Sequence, residues 1–166
     1  MRVTETTLVL LRHAKAAQTD EGEDIDRPLT TRGHGDAAAA GAWLLRRGLV
    51  PAHVLCSPAR RTRQTWHAVA VALAEAAQPA AAYRAEIYDS TPGTLLSLLQ
   101  ELPDDAGTVL LIGHNPTVTG LSALLAPSSA TPALRTAGIA VHRPRVPWSR
   151  LGPGDAALAE LYTARG

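Results

Sequence analysis

The chain contains one cysteine (Cys56), one lysine (Lys15) and no phenylalanine. A single cysteine excludes an intrachain disulfide, and no Cys/His grouping stands at the spacing of a zinc site. Neither sign of charge is in excess, since 16 Lys and Arg face 15 Asp and Glu for a formal net charge of +1. Nucleic-acid binders usually carry a strong basic excess, so that class is not expected, although a local basic pocket is still allowed. No apolar run reaches the roughly eighteen residues that a bilayer span needs. The first residues, Met-Arg-Val-Thr-Glu-Thr, lead into a short apolar run without a small-residue cleavage signal. That does not read as a signal peptide, and a cytoplasmic protein without a membrane partner is the expectation. The near absence of lysine beside abundant alanine reads as genomic bias, which lowers the information in each Arg and Ala.

What is present is enough apolar material for a core. The hydrophobic fraction is 46% and the charged fraction 19% over 166 residues, which predicts one domain spanning 1–166. Short apolar runs alternate with helical patterns, the signature of βα units around a mostly parallel sheet. Strands are expected at Thr7 to Leu11, His53 to Cys56 and Thr108 to Ile112, with a short one at Glu86 to Tyr88. Late strands follow at Gly138 to His142 and Ala156 to Tyr162. Helices are expected after Thr30 or Thr31 as far as Arg47, from Ser57-Pro58 to about Ala77, from Thr91-Pro92 to Glu101, and over Thr117 to Leu125. Gln18 to Pro28 and Pro79 to Ala85 read as loops. The fold class is therefore α/β: a three-layer α/β/α sandwich, mostly parallel, with an antiparallel edge strand.

Three polar clusters follow three of these strands directly: Arg12-His13, Ser57 to Thr65, and Gly113-His114. The carboxyl ends of parallel strands share one edge, where ligands bind in open α/β sheets. Loops far apart in sequence can therefore meet there and supply two histidines and at least two arginines. Guanidinium forks bind phosphate oxygens, and a neutral histidine can attack phosphorus, so a phosphoryl pocket is inferred. His34, His53, His67 and His142 have no comparable setting and read as surface or packing residues. A cysteine phosphatase is excluded, because its arginine would fall at Thr62, six positions after Cys56. No Gly-x-Ser-x-Gly elbow and no Walker loop is present. The acidic run Asp20, Glu21, Glu23, Asp24 and Asp26 does not match a calcium loop and reads as a solvated acidic loop.

Leu10-Leu11-Arg12-His13-Ala14-Lys15 resembles the Arg-His-Gly signature of the histidine phosphatase superfamily, also called phosphoglycerate mutase-like. Ser57-Pro58-Ala59-Arg60-Arg61-Thr62-Arg63-Gln64-Thr65 is similar to its second signature, Ser-x-x-x-Arg-x-x-x-Thr, which places the pocket arginine at Arg61. Gly113-His114-Asn115-Pro116 resembles the third, and Arg27-Pro28-Leu29-Thr30 a further stretch of the group. The branch most similar is that of the small bacterial SixA-type phosphohistidine phosphatases, and Ala14 in place of glycine points toward that branch.

The resemblance implies a phosphoglycerate mutase-like fold and catalysis by His13, His114, Arg12 and Arg61. His13 would take the phosphoryl group, and Arg12 and Arg61 would hold its oxygens. His114 would assist as a protonated donor, and Ser57 and Asn115 would join Arg12, Arg61 and His114 in binding substrate. No metal and no other cofactor is implied. Relatives acting on phosphate esters carry an acid between the second and third signatures, for which Glu86, or less readily Asp89, is available here. A phosphoramidate has less need of one, because its leaving imidazole can be protonated beforehand. The substrate expected is phosphohistidine on a protein such as a phosphotransfer domain, in a pocket without a large lid. A small-molecule phosphomonoesterase using Glu86 and a non-catalytic phosphate-binding module are the alternatives. The Arg143 to Arg150 loop reads as solvated.

Overall fold

The computed structural model describes residues 6–19 and 21–164. Asp20, part of the acidic run, lies outside the described residues. In chain order the main elements are β1 (Thr7–Arg12), α1 (Thr31–Arg46), β2 (His53–Cys56), α2 (Arg60–Leu73) and β3 (Ala81–Tyr83). They continue with α3 (Pro92–Gln100), β4 (Thr108–Gly113), α4 (Thr117–Leu125), β5 (Ile139–Pro144) and β6 (Ala156–Tyr162). The six strands form one sheet in the order β3-β2-β4-β1-β5-β6. The first four are mutually parallel, whereas β5 runs antiparallel to β1 and β6 antiparallel to β5.

Side chains alternate across a strand, so each apolar run serves two layers. Leu8 and Leu10 of β1, with Val109 and Leu111 of β4, pack under α3 and α4 through Leu95, Leu98, Leu99, Val118, Leu121 and Leu125. Val9, Leu11, Leu110 and Ile112 face the other way, onto Ala40 and Leu44 of α1 and Trp66, Val69 and Leu73 of α2. Burying one such leucine contributes about 2 kcal/mol, so the two layers clamp the sheet from both sides. The expected three-layer α/β/α sandwich is the observed architecture.

The helix starts follow from capping chemistry. Thr30, rather than Thr31, caps α1, its Oγ accepting the Gly33 N–H at 3.0 Å. Thr91 does the same for Thr94, with Pro92 as the first helical residue of α3. Gly33 lies so close to the turn after β1 that a Cβ there would run into the Lys15 carbonyl.

Three expectations need correction. The Pro79 to Ala85 loop holds β3, whose Ala-Ala-Tyr sequence gives a weak strand signal. Glu86 to Tyr88 is not a strand, for Ala85–Ile87 is a 3-10 turn with Ile87 buried. The helix α2 stops at Leu73, short of Ala77. The expected antiparallel edge strand is β6, and its interior neighbour β5 is antiparallel as well. Of the late arginines, Arg143 donates to Thr7 Oγ1 at 2.6 Å, whereas Arg145, 3.4 Å from Asp155, and Arg150 are exposed, in line with a solvated loop. Among the described residues, no helix is long and apolar enough to cross a membrane.

Candidate active site

The parallel register of β1 and β4 sets Arg12 opposite Gly113. The next residue on each strand is a histidine, and both leave the same sheet edge. The rings of His13 and His114 lie 5.4 Å apart between centroids, tilted by 54°. The chain after β2 reaches the same edge, where the Ser57 N–H donates to the Ile112 carbonyl at 3.1 Å. Gly113 is required by packing: a Cβ there would come within 2.9 Å of Val118 Cγ2 and 3.3 Å of Ile87 Cγ2.

His13 is only 8% exposed, and its Nδ1 donates to the Ala14 carbonyl at 2.7 Å. A carbonyl can only accept, so Nδ1 carries the proton and the neutral ring presents a bare Nε2. Burial pushes the His13 pKa down to about 4, and the charges of Arg61, Arg12 and Arg27 add to that against the Ala14 hydrogen bond. His114 is pushed down to about 3, first by burial and then by its neighbours His13 and Arg61. Both histidines are therefore neutral at pH 7.

The second signature is a set of three contacts. Ser57 Oγ lies 2.8 Å from His114 Nε2 and accepts the Ala59 N–H at 3.2 Å. Arg61 and Thr65 are four apart on α2 and share one face. Thr65 Oγ1 accepts the Ala14 N–H at 3.0 Å, which fixes the turn carrying His13, and donates to the Arg61 carbonyl at 2.8 Å. Arg61 is buried whereas Arg60 is exposed. Arg12 Nη1 donates to the Leu134 carbonyl at 3.2 Å. Arg12 Nε, Arg61 Nε and His114 Nδ1 are buried without a partner among the described residues. Such groups need an acceptor, and a tetrahedral oxyanion would supply several.

Residues 8–84 match the histidine phosphatase superfamily (branch 1). The chain is 40% identical to an uncharacterized protein of Mycobacterium tuberculosis, over 93% of this chain and all of that one. It is 33% identical to the phosphohistidine phosphatase SixA of Escherichia coli, over 79% of this chain and 81% of that one. The chain belongs to the histidine phosphatase superfamily. Within it the chain sits with the SixA-type proteins: a structure of the protein histidine phosphatase SixA complexed with tungstate superposes with a TM-score of 0.83 at 28% identity, covering 96% of this chain and 97% of that one. Its class is that of a phosphatase with a phosphoglycerate mutase-like fold.

Against that family pattern, two expected site residues sit differently. Asn115 was read as substrate-binding, but both ends of its amide serve the wall of the site. Nδ2 donates to the Leu134 carbonyl at 2.8 Å, and Oδ1 accepts from Thr119 Oγ1 at 2.6 Å. Glu86 stands exposed on the 3-10 turn and takes a 2.7 Å hydrogen bond from Arg84 Nη2. That bond is the first cause holding its carboxyl below the usual range, which works against an acid role at neutral pH. Asp89 is exposed as well.

Two residues at the histidine phosphatase pocket, Asp24 and Tyr88, escaped the sequence reading, and Arg27 was noted only as part of a family stretch. Asp24, read as solvated, accepts from Arg61 Nη2 at 3.0 Å, from Arg27 Nη1 at 2.9 Å and from the Tyr88 hydroxyl at 2.6 Å. The Tyr88 ring stands edge-on to His114, 5.6 Å between centroids. The available signal was Arg27-Pro28-Leu29-Thr30, only three residues beyond Asp24.

Proposed function

We propose that the protein is a phosphohistidine phosphatase, with His13 as nucleophile and a protein-borne phosphohistidine as substrate. The observation that carries this reading is the combination of a neutral, oriented His13 with the absence of a protonated carboxyl beside it among the described residues. Glu86 and Asp24 are both held deprotonated by hydrogen bonds, from Arg84 and from Tyr88 first, respectively. An alkoxide leaving group needs a proton donor, whereas a phosphohistidine imidazole can take its proton from water before the bond breaks. The names of the SixA relatives support the same substrate class.

In this mechanism Arg12 and Arg61 bind the non-bridging oxygens and offset their charge. The bare Nε2 of His13 forms a bond to phosphorus as the P–N bond to the protonated substrate imidazole breaks, and that electron pair leaves on neutral imidazole. In this scheme the Ser57 hydroxyl, which also accepts the Ala59 N–H, donates its own proton to His114 Nε2. His114 then carries its proton on Nδ1, the buried atom without a partner, which donates to a phosphoryl oxygen. Water next attacks phosphorus, the P–Nε2 bond breaks, and inorganic phosphate leaves with the proton released to solvent. The positive charge comes from the two arginines.

The test compares a phosphohistidine peptide with p-nitrophenyl phosphate and sugar phosphates. Faster turnover of the peptide is expected, with a trapped phosphoenzyme in rapid quench that is missing in His13→Ala. Faster turnover of the esters, with a strong loss in Glu86→Gln, would reverse the assignment in favour of a small-molecule phosphomonoesterase. Phosphate binding without any turnover would instead mark a binding module.

A further inference from the structure

The contact between Asp24 and Arg61 goes beyond the mechanism above. A guanidinium has five N–H donors in one rigid plane. Arg61 Nη1 donates to the Asp24 backbone carbonyl at 2.8 Å, and Nη2 donates to Asp24 Oδ2 at 3.0 Å. Both bonds engage the far end of the guanidinium and leave Nε, which is buried and without a partner among the described residues. The Arg61 side chain is 8% exposed and that of Asp24 52%, so the grip is applied from the solvent side.

Asp24 is itself anchored. Tyr88 donates its hydroxyl to Oδ2 at 2.6 Å, and Arg27 Nη1 donates to Oδ1 at 2.9 Å. Arg27 is tied in turn, its Nε donating to the Ala17 carbonyl at 2.9 Å. The Tyr88 bond first, and then that of Arg27, keep the carboxyl well below the usual range, so it stays anionic at neutral pH. A planar fork held at one end has its other flank fixed in direction.

We propose that Asp24 is a positioning residue for phosphoryl transfer, gripping the Nη1/Nη2 end of Arg61, with Tyr88 and Arg27 as its anchors, so that the Nε flank faces the phosphoryl oxygens. The inference rests on the reading of Arg61 as a phosphate ligand. Its opposite is a carboxylate that merely competes with phosphate for Arg61, and the two differ in sign. Removing a positioning group weakens anion binding, whereas removing a competitor strengthens it.

The experiment measures orthovanadate affinity by calorimetry for the wild type, Asp24→Ala, Asp24→Asn, Tyr88→Phe, Arg61→Ala and the Asp24→Ala/Arg61→Ala double variant. Steady-state kcat and KM are followed in parallel. Asp24→Ala should lose about tenfold in vanadate affinity, the scale of a hydrogen bond to a charged group. Asp24→Asn, which keeps an acceptor oxygen, should recover part of the loss, and Tyr88→Phe should show a smaller loss of the same sign. In the Arg61→Ala background Asp24→Ala should cost nothing further, because it acts through Arg61. The nitrogen-15 heteronuclear NOE of Arg61 Nε–H should fall in Asp24→Ala, which requires no turnover. Equal or tighter vanadate binding by Asp24→Ala, additive losses in the double variant, or an unchanged NOE would each overturn the proposal. A failed phosphohistidine assay would sink the substrate reading alone, since neither the vanadate nor the NMR measurement depends on that substrate.

Discussion

Ser57 and His114 are joined by a 2.8 Å hydrogen bond between Oγ and Nε2, both atoms buried and the residues 57 apart in sequence. The serine that opens the second signature thus acts on the histidine of the third. Ser57→Ala is expected to free the His114 ring and leave its tautomer unset, lowering kcat by about tenfold with little change in KM. Steady-state kinetics with the phosphohistidine peptide decide this, and an equal rise in KM at unchanged kcat would show that Ser57 only binds substrate.

The depressed histidines predict the pH behaviour. Attack requires neutral His13, and its pKa is pushed down from 6.5 to about 4. The acid limb of kcat/KM should therefore fall near pH 4, with nucleophile neutralisation placing no limb near 6.5. Stability follows the same sign. Below 6.5 the unfolded chain binds protons that folded His13 and His114 refuse, so stability falls as pH drops from 6.5 toward 4 and toward His114's value of about 3. His142, also depressed mainly by burial, adds in the same direction. Denaturant titrations between pH 7 and 4 check this, and a flat midpoint over that range would contradict it.

Arg60 and Arg61 should differ sharply despite being adjacent. Arg61 is buried with a free Nε, whereas Arg60 is exposed on the first turn of α2. Arg61→Ala should weaken phosphate affinity and lower kcat together, by about a hundredfold in kcat/KM, because it contacts oxygens before and during transfer. Arg60→Ala should stay within about twofold, as surface substitutions usually do. Measuring both in one assay tests the register of the segment from Ser57 to Thr65.

Gly113→Ala places a methyl 2.9 Å from Val118 Cγ2. Overpacking of this kind costs about 1–3 kcal/mol and would push the His114 backbone away from His13. A lowered melting temperature together with a lowered kcat is expected in thermal denaturation and kinetics.

The groups proposed for the chemistry were legible because each lies in a short segment directly after an apolar run: Arg12-His13, Ser57 to Thr65, and Gly113-His114. The strand-end rule then placed them at one edge without any knowledge of contacts. Asp24 was not legible, since its partners Arg61 and Tyr88 lie 37 and 64 residues away, and an acidic loop looks solvated until the arginine it faces is known. Strand β3 was missed because Ala81 and Ala82 carry little β preference, and its pairing with β2 supplies what the local sequence does not. His142, read as a surface or packing residue, is a packing one: it is fully buried, with Ser122 Oγ at 2.7 Å and the Ala156 carbonyl at 2.9 Å taking up its two nitrogens.

The pairing of Arg12 with Gly113 makes the histidine pair a reporter of folding. A slip of one residue would turn one histidine to the opposite face of the sheet, so no partly registered sheet can present both rings to one phosphoryl group. Catalysis therefore depends on a tertiary event between distant parts of the chain rather than on either local motif. During refolding, turnover should return only with the last phase that joins β1 to β4, after far-ultraviolet signals of helix have already recovered.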